Sequence, residues 1–65
     1  MGKWHKSDDG SWSYTHHGVT LDDATIKKVF NRMLVGASRL DIRREFGIRL
    51  KAVKELEIKF REWMT

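Results

Sequence analysis

The sequence predicts a mainly α fold, in which an N-terminal β-hairpin precedes a core of three helices. Three observations support this prediction. Apolar residues recur at three- and four-residue spacing in three separate stretches, which is the period of an amphipathic helix. Glycines at positions 36 and 47 separate these stretches. Near the N-terminus, two aromatic-rich runs flank an Asp-Asp-Gly turn, which is the pattern of a β-hairpin.

Length and composition limit what the chain can be. We expect its 65 residues to form one domain, with residues 1–18 as a hairpin arm and residues 19–65 as the helical core. Without cysteine the chain has no disulfide framework and no thiolate metal site. No apolar run approaches the ~20 residues of a membrane-spanning helix, and the N-terminus lacks the apolar segment of a signal peptide. A cytoplasmic protein without a membrane partner is therefore expected.

The first predicted element is the hairpin from Lys3 to Tyr14. If Ser7 faces Ser11 across the turn, Lys6 faces Trp12 and Trp4 faces Tyr14. The three aromatic rings then share one face and can cover the helices. Because an isolated two-stranded ribbon is marginal in water, the hairpin needs this packing. A disordered arm is the alternative.

The first helix is predicted over residues 20–35. Thr20 is placed to cap it, with Asp23 at the third helical position as its capping-box partner. Both Asp22 and Asp23 suit the positive end of the helix dipole. Gly36 ends the helix. One face of it carries an apolar stripe that is expected to enter the core: Ile26, Val29, Phe30, Met33 and Leu34.

Two further helices are predicted over residues 38–46 and 50–64. Ser38 is a capping residue for the first, with Asp41 three residues later. Gly47 suits the position after a helix end, where φ is often positive. The residues expected to be buried in the whole core are Ile26, Phe30, Leu34, Ile42, Phe46, Val53, Leu56 and Phe60.

The segment from Ser38 to Leu56 resembles the helix-turn-helix of small bacterial and phage DNA-binding proteins. The resemblance covers about a third of the chain and rests on five apolar residues around Gly47, namely Ile42, Phe46, Ile48, Val53 and Leu56. That family usually has Ala or Gly four residues before the turn glycine, where the two helices approach closely. This chain has Arg43 there, so its stem must extend out of the crossing or the helices must open their angle.

The charge distribution is compatible with this resemblance. The formal net charge is +4, and residues 36–65 contribute eight basic and five acidic side chains, so most of the excess lies in the suspected motif. The resemblance implies double-stranded DNA as the partner and the last helix in the major groove. Arg39, Arg43 and Arg44 would contact phosphates. The residues expected to face the bases are Arg49, Leu50, Lys51, Lys54 and Glu55, with Glu55 accepting from cytosine. A transcriptional, phage or mobile-element regulator is the corresponding function.

A protein-binding module with the same helical fold, such as a phage-type inhibitor or adaptor of host machinery, is the main alternative. Leu50 and Ile58 favour it, because both fall outside the predicted core stripe. A homodimer through Ile58, Trp63 and Met64 is a further expectation. An RNA binder that stacks bases on Trp4, Trp12 and Tyr14 is a third possibility.

Catalysis and metal binding are weakly indicated. His5, His16 and His17 with Asp8 or Asp9 could supply zinc ligands, but adjacent histidines in an extended chain point in opposite directions. Serine and histidine show no arrangement typical of a nucleophilic site, and so short a chain has little room for a pocket. We therefore expect no enzyme activity, no metal and no cofactor.

Overall fold

A computed structural model describes residues 2–64 of the protein. Three strands come first, β1 (Lys3–Lys6), β2 (Trp12–His16) and β3 (Val19–Leu21). They form one antiparallel sheet in the order β1-β2-β3. Three helices follow, α1 (Asp23–Leu34), α2 (Arg39–Phe46) and α3 (Leu50–Met64). The prediction of three helices after an N-terminal hairpin is confirmed, with one strand added.

The predicted hairpin register is confirmed. Trp4 pairs with Tyr14 and Lys6 with Trp12. The Ser7 N–H donates to the Ser11 carbonyl at 2.8 Å, and Gly10 has the left-handed φ of 88° that this turn requires.

The third strand, β3, was not predicted. His17 and Gly18 both have positive φ, 49° and 77°, and so form a two-residue turn that folds β3 back along β2. The prediction that α1 begins at residue 20 with Thr20 as its cap is therefore wrong. The Thr20 hydroxyl lies 3.1 Å from that of Thr15 on β2, and the helix begins three residues later.

Asp22 caps α1 instead of Thr20. Its carboxylate accepts a hydrogen bond from the Thr25 N–H at 2.8 Å, and Asp23 occupies the first turn. Hydrogen bonding to the Thr25 side chain, and then to its backbone N–H, lowers the pKa of Asp22, because the charged carboxylate is the better acceptor. At the other end, the Ala37 N–H donates to the Arg32 carbonyl at 2.9 Å while Gly36 has a φ of 89°. Helix α1 thus ends at the predicted glycine.

The core lies between the sheet and the three helices. Of the residues predicted to be buried, Ile26, Ile42, Val53 and Leu56 have at most 1% of their surface exposed. Phe30, Phe46 and Phe60 are half-buried. The prediction for Leu34 is wrong, because this last residue of α1 is 62% exposed and no element within residues 2–64 covers that end of the helix. The other buried apolar residues are Tyr14, Leu21, Val29, Ile48 and Ala52.

The C-terminal half of α3 packs on the hairpin and on α1 through aromatic rings. The Trp63 ring centroid lies 5.7 Å from those of Trp4 and Trp12 and 5.3 Å from that of Phe30. Phe60 also contacts Phe30, with ring centroids 5.4 Å apart. Such edge and tilted arrangements add to the free energy gained by burial. The part of α3 that extends beyond the suspected motif thus packs against other elements of the same chain.

Candidate nucleic-acid interface

The site predicted from the sequence lies where α2 ends and α3 begins. The Ser38 hydroxyl accepts a hydrogen bond from the Asp41 N–H at 3.2 Å, which fixes the start of α2. At its end, the Gly47 N–H donates to the Arg43 carbonyl at 2.9 Å, and Gly47 takes the left-handed φ of 64°. Ile48 is buried and anchors the turn to the core. The local features that predicted two short helices around Gly47 are therefore present.

Arginines surround this turn on its outer side. Arg43, Arg44 and Arg49 are exposed and, with Gly47 and Ile48, line a shallow hollow on the surface. The side chain of Arg43 extends into solvent, which is the first of the two solutions expected for an arginine at this position.

Unpaired positive charge is concentrated around the same turn. Of the thirteen basic side chains, all within residues 2–64, five take part in ion pairs. Five of the other eight lie between positions 43 and 54. The acidic residue within that segment, Glu45, is held by Arg32 of α1 with three hydrogen bonds of 2.8–3.0 Å. The segment therefore carries a net positive charge on exposed side chains, namely Arg43, Arg44, Arg49, Lys51 and Lys54.

Arg39 has a different environment from Arg43 and Arg44. Its Nε and Nη2 donate to the two carboxylate oxygens of Glu57 on α3, at 2.8 and 3.2 Å. Arg61 donates to the same carboxylate at 2.8 Å. The hydrogen bond from Arg39, together with the charges of Arg39 and Arg61, lowers the pKa of Glu57. Much of the charge of Arg39 is thus already compensated within the chain.

The exposed positions at the start of α3 agree with the prediction, except for Glu55. Lys51 and Lys54 are exposed, and Leu50 has 37% of its surface exposed. Glu55 is half-buried and turns towards the sheet, where it accepts hydrogen bonds from the Tyr14 hydroxyl and, at 3.2 Å, from the Gly2 N–H. The expectation that Glu55 faces outward is wrong, because a buried phenol needs an acceptor and Glu55 supplies it.

The Tyr14–Glu55 contact has its own electrostatic signature. Tyr14 has no exposed surface, and this burial is the main cause that raises its pKa. The hydrogen bond to Glu55 and the negative charge of that carboxylate raise it further. Gly2 closes the contact, because a Cβ at this position would overlap the Tyr14 ring. The carboxylate of Glu55 is therefore a structural group that ties β2 and the residue before β1 to α3.

Sequence reasoning missed the turn between β2 and β3 as part of this surface. Together with the start of α3, this turn encloses a cavity of about 150 Å³, lined by Tyr14, His16, His17, Val19, Leu21, Gly47, Ile48, Arg49 and Ala52. His17 is exposed, and its pKa is lowered by the neighbouring His16 and then by the charge of Arg49, with a smaller effect from Lys51. A His-Gly pair followed by a Val-Thr-Leu run was the available signal, since glycine favours positive φ and β-branched residues favour strands.

The structure also bears on the two alternatives of metal binding and of RNA binding through stacked aromatic rings. Within residues 2–64, no group of three histidine or acidic residues lies close enough together to hold a metal ion. The rings of His16 and His17 are 4.4 Å apart, contrary to the expectation that they point in opposite directions, because His17 belongs to a turn. Tyr14 is fully buried and so is not available to stack on a base. Trp4 and Trp12 already pack against Trp63.

Comparisons with known proteins identify no relative of this chain. No family model, no curated protein sequence and no solved structure matches this chain. Among the described residues, no helix combines the length and the apolar character needed to cross a bilayer.

Proposed function

We propose that this protein binds double-stranded DNA through α2, the turn at Gly47 and the start of α3. The supporting observation is the group of five basic side chains at positions 43–54 that make no ion pair within residues 2–64. Uncompensated cations on one surface repel each other, and a polyanion removes this cost while it releases its own counterions. A cytoplasmic regulator of transcription, of phage or mobile-element type, is the corresponding role.

In this proposal the basic residues divide into two groups. Arg43 and Arg44, at the end of α2, contact phosphates and orient the domain without reading sequence. Arg49, Leu50, Lys51 and Lys54 begin the helix that enters the major groove, where arginine and lysine contact guanine and an apolar side chain contacts the thymine methyl group. Glu55 is left out of this set because Tyr14 occupies its carboxylate. Arg39 contributes less than Arg43, since Glu57 holds it.

The test is the salt dependence of binding to a random-sequence duplex. Plotted against the logarithm of salt concentration, log K should fall linearly, with a slope that loses about 0.9 unit for each phosphate contact removed. We expect Arg43→Gln and Arg44→Gln each to reduce the slope by roughly that amount and Arg39→Gln to reduce it less. Lys28→Gln, an exposed unpaired lysine on α1, is the matched control. Absence of binding at low salt would contradict the proposal.

A protein-binding module is the second candidate, and the exposed apolar residues of α3 support it. Ile58 is 58% exposed and lies beside a groove between β1 and α3, which Gly2, Trp4, Glu55, Lys59 and Glu62 also line. Leu50 is the other exposed position. If the protein captures a partner protein and Ile58→Asp or Leu50→Asp abolishes capture while DNA binding is absent, this second function replaces the first.

A homodimer is part of the DNA proposal, because two-fold symmetry doubles the small contact area of one copy. Of the three residues expected at its interface, Ile58 and Met64 are 58% and 60% exposed. Trp63 is 42% exposed, but its ring packs on three aromatic rings of the same chain. Sedimentation at high micromolar concentration tests the dimer. A monomer under those conditions would remove this part of the proposal.

A further inference from the structure

The cavity between the β2–β3 turn and the start of α3 has the properties of an anion site. Its volume of about 150 Å³ is roughly ten times the ~10–15 Å³ that a single water needs. Side chains from three places in the chain converge on it: His16 at the end of β2, His17 in the turn and Arg49 just before α3.

His16 is the most informative of these residues. It is 94% buried, with only 6% of its surface exposed, and its ring contacts those of Tyr14 and His17. Neither ring nitrogen forms a hydrogen bond within residues 2–64. Neither is sealed from solvent, because every sealed side-chain nitrogen or oxygen in that range has a partner. The imidazole nitrogens therefore keep access to solvent, and His16 is among the residues that line the cavity. An imidazole without a protein partner has its donor and acceptor free for a ligand held in the cavity that it lines.

The start of α3 adds backbone donors. The Arg49 carbonyl accepts from the Val53 N–H at 3.1 Å, so Arg49 is the capping residue, and an arginine side chain has no acceptor with which to cap. No side chain within residues 2–64 bonds to the first amides of α3, and its first turn has no acidic residue. Helices α1 and α2, in contrast, each begin with a capping side chain and have an acidic residue in the first turn. The positive end of the α3 dipole is thus uncompensated beside the cavity.

The local charge also favours an anion. The pKa of His17 is lowered by its electrostatic interaction with His16 and then with Arg49, followed by desolvation, and Lys51 on α3 adds a smaller effect. An anion in the cavity would offset this repulsion, and His17 would take up a proton more readily.

We infer that this cavity is a binding site for a phosphate group, held by His16, His17, Arg49 and the first backbone amides of α3. A phosphate group presents several acceptor oxygens to such a set of converging donors, and helix starts bind phosphates readily. The group is either one phosphate of a DNA backbone, in which case Arg49 contacts that phosphate and not a base, or a free phosphate. If the phosphate belongs to DNA, this inference rests on the proposed function. If it is a free phosphate, the inference stands without that function.

The first arm of the test uses inorganic phosphate. Imidazole signals of His16 and His17 are followed by NMR during a titration with phosphate at constant ionic strength in chloride, with His5, exposed on β1, as the internal control. We expect saturable shifts at His16 and His17 and none at His5. Arg49→Gln should weaken binding by at least roughly tenfold, because it removes a charged donor. Lys28→Gln, exposed on α1 away from the cavity, is the matched control and should leave the shifts unchanged.

The second arm uses a duplex and distinguishes the sources. If the duplex shifts His16 and His17, and if Arg49→Gln and His17→Gln weaken its binding more than His5→Gln does, the DNA backbone fills the site. If inorganic phosphate binds but the duplex does not, the ligand is a free phosphate, and the DNA proposal fails while the phosphate site stands. If neither ligand shifts His16 or His17 in the folded protein, the phosphate site is excluded.

The pH dependence of duplex affinity tests the role of His17 in a way that salt dependence alone does not. Duplex affinity should rise as pH falls from neutral, because binding raises the pKa of His17, and His17→Gln should remove most of this dependence. The phosphodiester does not titrate in this range, so the dependence reports on the protein. An unchanged pH dependence in His17→Gln would exclude His17 from the site.

Discussion

The two halves of α3 differ in how their charges and side chains are used. The C-terminal half packs Phe60 and Trp63 on aromatic rings of α1 and the hairpin. Its charges are paired, as in the Arg39–Glu57–Arg61 group. The N-terminal half carries Lys51 and Lys54, which have no ion pair within residues 2–64. We call these two regions the aromatic end and the turn end, the latter including Arg43, Arg44 and Arg49.

This difference separates the residues that hold the fold from the residues proposed to bind. At the aromatic end, ring packing and ion pairs each lower the free energy of the folded chain. At the turn end, the five cations gain nothing from one another, and their mutual repulsion disfavours the fold slightly. Stability and binding should therefore respond to different substitutions, and each prediction below tests that separation.

The largest effect on the free energy of unfolding is expected from substitutions in the hydrophobic core, which is common to the aromatic end and the turn end. Leu56 is completely buried, so Leu56→Ala should lower the free energy of unfolding by ~2–5 kcal/mol, through lost burial and the cavity left behind. Phe46 is only half-buried, and Phe46→Ala should cost less than the ~3–5 kcal/mol of a fully buried phenylalanine. Urea unfolding followed by tryptophan fluorescence measures both values. A larger loss for Phe46→Ala would reverse this ranking.

The next effect is expected at the aromatic end alone. Trp63→Ala removes contacts to Trp4, Trp12 and Phe30, each of which is worth about 0.5–1.5 kcal/mol in addition to buried area. We expect a loss of about 2–3 kcal/mol in the free energy of unfolding, measured by urea denaturation. Arg43→Ala is the opposite case and should change stability by less than about 0.5 kcal/mol. Equal effects of the two variants on stability would show that the two ends are not separate.

A smaller, pH-dependent effect is expected at the contact between Tyr14 and Glu55, which adjoins both ends. Because the folded state raises the pKa of Tyr14 above its ordinary value of 10.0, its stabilising contribution is complete below pH 10.0 and is lost as pH rises further. Tyr14→Phe should remove this alkaline loss and cost about 1–2 kcal/mol at neutral pH, since Glu55 then loses one of its two donors. Thermal unfolding between neutral pH and strongly alkaline pH measures both quantities. A variant with the same alkaline profile as the wild-type protein would assign that loss to another group.

The smallest effect is expected from the ion pairs of the aromatic end. Arg39 and Glu57 have 50% and 20% of their side chains exposed, so Arg39→Gln should lower the free energy of unfolding by less than Tyr14→Phe does. Because the pair lowers the pKa of Glu57, its contribution is present near neutral pH and fades as pH falls through that lowered pKa. Unfolding curves at neutral and acidic pH check both statements. A cost above that of Tyr14→Phe would mean that the ion-pair group holds α2 on α3.

The sequence by itself determined the features that depend on neighbouring residues. The Ser38 cap, the left-handed Gly47, the hairpin register and the apolar faces of the helices were all predicted from residues within a few positions of one another. Caps, turns and periodicity are local because their hydrogen bonds and side-chain spacings span three or four residues. The third strand is the local feature that was missed, because any residue other than glycine is uncommon at a position with positive φ, as His17 is here.

The tertiary structure decided which polar groups remain available. Glu55 is drawn to Tyr14, 41 residues earlier in the chain, and Arg39 to Glu57, 18 residues later. Likewise, His16 and Arg49 line one cavity although the whole of α1 and α2 lies between them in sequence. Composition gives the number of charges, but whether a charge is neutralised depends on which side chain lies within about 4 Å of it. That distance is set by how the sheet packs on the helices, and spacing along a single helix or strand does not contain it.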